Sequence, residues 1–108
     1  RGCDVLCRYG GEEFAIILPE TSKEEAVIVC ERIRKSVETT EMVDEQGTPV
    51  GNVRVTLGLA SFPADADNKD DLIDNADRAL YQGKEAGKNC IFLFGSKEKY
   101  KVPGTNAQ

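Results

Sequence analysis

Apolar residues fall into short blocks separated by turn-forming residues. Val5 to Arg8 is an apolar-rich stretch, and Phe14-Ala15-Ile16-Ile17-Leu18 is an apolar run of five, a length no run in the chain exceeds. Gly10-Gly11 lies between them, so the pattern predicts strand, tight turn, strand, which is a β-hairpin. Pro19 ends the second strand because it cannot donate to a ladder. Ser22-Lys23-Glu24-Glu25 has the form of a capping box. Ala26, Cys30, Ile33 and Val37 then recur at helical spacing, which predicts a helix over about Lys23 to Glu38.

Met42 to Asn52 contains Gly47, Pro49 and Gly51 and reads as a loop or irregular hairpin. From Val53 to Ala60, the apolar Val53, Val55, Leu57 and Leu59 alternate with Arg54, Thr56, Gly58 and Ala60. That alternation predicts a strand with one buried face, closed by Phe62-Pro63. A second helix is expected from Asn68 or Lys69, with Leu72, Ile73, Ala76, Leu80 and Gly83 on one face and Gly87 as its stop. Cys90 to Phe94 reads as a last short strand. From Gly95 the chain is polar and is expected to be frayed or disordered. Hairpin, helix, loop, strand, helix, strand is an α+β order, with helices on one or both faces of a sheet.

Composition narrows the class. The chain has 108 residues, enough for one small domain with a modest core. Lysine and arginine number 14 against 19 aspartates and glutamates, a net charge of -5. A nonspecific nucleic-acid binder shows a basic face, so no nucleic-acid partner is expected. No apolar run approaches the ~18 residues of a membrane span, so no membrane contact is expected from this segment. The opening Arg1-Gly2-Cys3-Asp4 does not read as a signal peptide. Histidine is absent, and Cys3, Cys7, Cys30 and Cys90 form no Cys-x-x-Cys pair. They read as reduced thiols used as small hydrophobes rather than as a zinc site.

Three groups of residues could carry chemistry. Gly10-Gly11 permits a turn that a nucleotide can approach closely, and Glu12-Glu13 could hold a hard cation such as Mg2+. Taken alone, the same four residues suit a solvated hairpin turn. Lys84 and Lys88 share a helix face and could pair with a triphosphate, though lysines there also simply complement the helix dipole. Arg1-x-x-Asp4 could read a guanine edge, or be a surface ion pair worth about 0–1 kcal/mol.

Read together, these features resemble one family. Arg8-Tyr9-Gly10-Gly11-Glu12-Glu13-Phe14 resembles the signature of the GGDEF family, the bacterial diguanylate cyclases. Val55-Thr56-Leu57-Gly58-Leu59-Ala60 is similar to the core strand that follows. Asp77-Arg78-Ala79-Leu80-Tyr81, Lys84 and Gly87-Lys88-Asn89 resemble its C-terminal helix motif. In that motif Gly83 stands in place of a common alanine, a small change; in the core strand, Ser/Thr variation at Thr56 is unremarkable. Lys88 stands where the family often has arginine, which keeps the charge but loses the fork.

The resemblance implies a palm-like, ferredoxin-like nucleotidyl-cyclase sheet, antiparallel with packed helices, over residues 1–94. Residues 95–108 would be a polar tail. It implies condensation of two GTP into cyclic di-GMP with loss of two pyrophosphates, across a homodimer of GGDEF domains. Glu12 would be a Mg2+ ligand and proton acceptor, with Glu13 supporting the metal. Gly10 and Gly11 would admit the nucleotide, and Lys84 and Lys88 would hold its phosphates. Arg1, Asp4 and Arg32 match a site at which product cyclic di-GMP inhibits. Such a protein is expected in the cytoplasm, in a parent free to carry a membrane anchor.

The family's opening strand and helices, which carry an Asp for metal and an Asn and an Asp for guanine, are expected to be missing from this piece of the domain. One carboxylate pair does not fix two Mg2+ ions, so this piece of the domain is expected to be inactive alone. It is also expected to expose a sheet edge. The alternative to an enzyme is a catalytically silent GGDEF module that binds GTP or cyclic di-GMP and regulates an attached domain.

Overall fold

The structure, a computed structural model, describes residues 4–9 and 15–102. The elements are β1 (Asp4–Tyr9), β2 (Ala15–Ile17), α1 (Lys23–Thr39), β3 (Glu41–Val43), β4 (Pro49–Asn52), β5 (Leu57–Phe62), α2 (Lys69–Glu85) and β6 (Ile91–Leu93). The main sheet has the order β2-β1-β5-β6, and β3-β4 is a separate ribbon. β1 is antiparallel to β2 and to β5, while β5 and β6 run parallel. A parallel pair needs a crossover, and α2 supplies it. This is the α+β architecture that the element order predicts.

Both helices begin where their caps place them. Ser22 Oγ accepts from the Glu25 amide at 3.1 Å, and Glu25 Oε1 accepts from the Ser22 amide at 3.3 Å. This reciprocal pair satisfies two of the orphan donors at the start of α1. Asn68 Oδ1 accepts from the Asp71 amide at 2.8 Å and starts α2.

The sheet is covered on both faces, and the two helices lie on opposite sides. On one face Val5, Cys7, Leu57, Leu59 and Ile91 pack with Ala26, Val27 and Cys30 of α1. On the other, Leu6 and Ala60 pack with Leu72 and Ala76 of α2. The expectation of a strand with one buried face over Val53–Ala60 is corrected here. β5 begins at Leu57, and Leu57 to Ser61 are all buried. Gly58 and Ala60 alternate with leucines not because they face water but because α2 lies directly on them. A Cβ on Gly58 would sit 2.2 Å from the Leu80 amide nitrogen and 2.4 Å from the Ala76 carbonyl oxygen. Only glycine lets the strand and helix backbones come this close. Val53 and Arg54 are exposed and belong to the connection from the β3-β4 ribbon.

That ribbon is the irregular hairpin expected over Met42 to Asn52. Asp44 Oδ1 accepts from the amides of Gln46 and Thr48, each at 2.9 Å, an Asx-type turn completed by Gly47 at φ 82°. The tail departs from expectation. Through residues 95–102 it folds back on the domain: the Ser96 amide donates to the Leu93 carbonyl at 3.0 Å and the Tyr100 amide to the Ile91 carbonyl at 2.8 Å. The Tyr100 ring packs against the α1-side core. A polar composition concealed this one aromatic anchor. No helix among the described residues is long and apolar enough to cross a membrane.

Candidate functional site

β1 is the element that delivers the Gly-Gly-Glu-Glu segment, which follows Tyr9. Tyr9 pairs with Leu57, and Leu57 pairs with Ile91. The end of β1, the start of β5 and the start of β6 therefore lie side by side at one end of the sheet. α2 leaves the far end of β5 and returns antiparallel to it. Its last turn reaches the same end: Gly83 lies against Thr56 and Cys90, directly before β5 and β6. Lys84 is half-buried in this last turn. Lys88 is exposed just beyond it, and its amide donates to the Gly83 carbonyl at 3.0 Å.

The chain after α2 takes an unusual path. Gly87, Lys88 and Asn89 have φ of 117°, 64° and 50°, three consecutive positive values. Lysine and asparagine pay a steric cost of roughly 1–2 kcal/mol each in this region, so something must hold them. Asn89 is gripped from three sides. Its amide donates to the buried Thr56 Oγ1 at 2.9 Å, its Nδ2 donates to Glu38 Oε2 at 2.8 Å, and its Oδ1 accepts from Arg34 Nη1 at 3.0 Å. Arg34 is fixed in turn by Glu31, with Nε to Oε1 at 3.0 Å and Nη2 to Oε2 at 2.7 Å. The Asn89 side-chain Nδ2, with Arg34 and Lys35 adding positive charge, holds the Glu38 carboxyl below the usual carboxylate range. The bonds to Glu31, joined by the charges of Glu31 and Glu38, raise the Arg34 pKa further. The end of α1 thus braces the turn that carries Lys88.

A second tie joins β1 to α2. Arg8 Nε and Asp77 Oδ1 lie 3.3 Å apart, with the arginine side chain 21% exposed. Arg8 is the second-last residue of β1, so this pair ties the end of β1 to α2.

The sequence-predicted residues can be placed as follows. Lys84 and Lys88 are brought to the end of the sheet at which β1 ends. Gly10, Gly11, Glu12 and Glu13 lie outside the described residues, as does Arg1. Asp4 begins β1, opposite Phe62. It is five residue steps from Tyr9, a span of about 17 Å at strand rise. Arg32 is exposed in the middle of α1. Among the described residues no group of three or more His, Cys, Asp or Glu could hold a metal ion. Sequence reasoning missed Arg34, Glu38 and Thr56. Ser/Thr variation at Thr56 keeps the hydroxyl that accepts from the Asn89 amide, but the sequence assigns that hydroxyl no role. The available signal was Asn89 itself, a residue suited to positive φ directly after a Gly stop.

The sequence profile described as "Diguanylate cyclase, GGDEF domain" matches residues 1–90. The chain belongs to the GGDEF family. Diguanylate cyclase A of Treponema denticola is 40% identical over 93 residues, 86% of this chain and 24% of that protein. Response regulator PleD of Caulobacter vibrioides is 35% identical over 84% of this chain and 20% of its own length. This GGDEF chain therefore spans about a fifth to a quarter of these curated relatives. Among solved structures, the GGDEF domain of DgcB from Caulobacter crescentus, in complex with c-di-GMP, superposes with a TM-score of 0.77. It covers 88% of this chain and 77% of that one at 20% identity, a likeness of fold. The GGDEF domain of YfiN from Pseudomonas aeruginosa gives a TM-score of 0.73 at 28% identity, over 82% of this chain and 54% of that one.

Proposed function

We propose that this GGDEF domain, within its full-length protein, is a diguanylate cyclase. Two such domains, each holding one GTP, face each other and join the nucleotides into cyclic di-GMP. Each 3′-hydroxyl oxygen attacks the α-phosphorus of the opposite nucleotide, and pyrophosphate leaves. The observation that carries this reading is the shared register of Tyr9, Leu57 and Ile91, with α2 ending beside them. It supports a site in which a close-approach turn, two carboxylates and two lysines converge on one nucleotide.

In this site Gly10 and Gly11 leave room for the ribose and phosphates beside the backbone. Lys84 and Lys88 hold the phosphates as point charges. Glu12 accepts the proton released by the 3′-hydroxyl. The donor set of Glu12 and Glu13 is hard oxygen, which fits Mg2+. When bound, that ion would lend positive charge to the phosphate oxygens. The ion pair of Arg8 with Asp77 and the Asn89 brace hold the two halves of the site in relation to each other. Two carboxylates are a partial metal site, so the 108-residue chain alone is proposed to be inactive. Arg1, Asp4 and Arg32 are proposed to bind the product and inhibit.

The test is the full-length protein with GTP and Mg2+, assayed for cyclic di-GMP by mass spectrometry. Glu12→Gln is expected to lower turnover by about 10²–10⁴-fold, the usual worth of a positioned proton acceptor. Unchanged turnover in that variant refutes the role of Glu12. GTP binding without any product in the unsubstituted protein refutes the enzyme reading itself.

A further inference from the structure

Two thiols meet in the core between β1 and α1. Cys7 on β1 is 0% exposed and Cys30 on α1 is 1% exposed, and their sulfurs lie 2.6 Å apart. They are 23 positions apart in sequence and face each other across the seam between the sheet and the helix. Around them stand Val5, Ala26, Val27, Leu57 and Leu59, all apolar. Each thiol thus has the other as its polar partner among these neighbours. Both are free thiols.

We propose that Cys7 and Cys30 are a reversible disulfide-forming site, closed by a peroxide-class oxidant, that ties β1 covalently to α1. The chemistry balances in two steps. One thiol is oxidised by hydrogen peroxide to a sulfenic acid, with release of one water. The second thiol then attacks that sulfur, the S–O bond breaks, and a second water leaves as the S–S bond forms. Two electrons pass from the sulfurs to the peroxide. The contact with Cys30 and burial push the Cys7 thiol far above its ordinary pKa, so thiolate is scarce in the closed core. Oxidation therefore proceeds through local opening of the β1–α1 seam and is slow. Once formed, the bond closes a ring that contains the whole signature segment from Arg8 to Phe14. It also removes loop entropy from the unfolded chain.

The test uses the 108-residue chain, reduced, freed of reductant and exposed to hydrogen peroxide in native buffer. Remaining thiols are then alkylated and the peptides mapped by mass. The expected result is a Cys7–Cys30 linked peptide pair lighter by two hydrogen atoms, lost again with dithiothreitol. The oxidised chain is expected to melt roughly 10 °C higher. Cys30→Ala keeps a small apolar residue and is expected to show neither the link nor the oxidant-dependent rise. The proposal fails if Cys7 and Cys30 are recovered alkylated, if either pairs with Cys3 or Cys90 instead, or if the link forms only in urea. None of these outcomes depends on whether the domain makes cyclic di-GMP.

Discussion

At the scale of single residues, Gly83 shows how a side chain elsewhere can fix what a position tolerates. Alanine is better than glycine in a helix by about 1 kcal/mol, so Gly83→Ala looks favourable from the sequence. In the structure its Cβ would lie 2.8 Å from the Thr56 methyl. Thr56 cannot simply rotate away, because its hydroxyl accepts from the Asn89 amide. Overpacking of this kind costs about 1–3 kcal/mol, which exceeds the helix gain. Gly83→Ala is therefore expected to destabilise the chain, by about 1 kcal/mol net in urea unfolding. Thr56→Ser removes the methyl and keeps the hydroxyl, so in the Gly83→Ala background it should recover most of the loss. Additive effects of the two substitutions would show that the methyl moves freely.

At the scale of elements, α1 and the α2–β6 turn are joined by Arg34, Glu38 and Asn89. The folded protein lowers the pKa of Glu38, so it favours the ionised carboxylate. The resulting stability is fully present above the ordinary glutamate value of about 4.3 and is lost as pH falls through the lowered one. The stability gap between the natural chain and Glu38→Gln should thus be open near neutral pH and narrow in acid. Reversible denaturant unfolding at about pH 7 and about pH 3.5 measures it. A gap independent of pH would remove Glu38 ionisation from the network. Elements of this kind were unevenly legible. The capping box at Ser22, the period of α1, and Asn68 with Gly87 around α2 are local signals, and the sequence reading of both helices holds. β5 looks one-sided in sequence because Gly58 and Ala60 fall on the side of Arg54 and Thr56, while their smallness in fact admits α2. The Asn89 brace was invisible because its partners are 33 to 55 positions away in sequence. The convergence of Lys84 and Lys88 on the signature end needed the strand register.

At the scale of the whole molecule, the folded unit runs past the last strand. Tyr100 lies half-buried on the α1-side core, with its amide bonded to Ile91. Removing residues 96–108 gives up that burial and that hydrogen bond. The loss should be about 2 kcal/mol in urea unfolding, from half of an aromatic burial and one ordinary hydrogen bond. A truncated chain as stable as the whole would show the tail to be ornamental. The ribbon β3-β4 has the opposite character. It stands outside the main sheet, most of its residues are exposed, and the Asn52 side chain joins it to the Glu38 carbonyl at 2.7 Å. β5 is paired on both edges and covered on both faces. Its amides can meet solvent deuterium only when the domain opens as a whole, whereas the ribbon can come away by itself. Deuterium uptake should therefore finish in residues 41–52 long before it begins at Leu59 and Ala60, so that one small domain keeps two clocks.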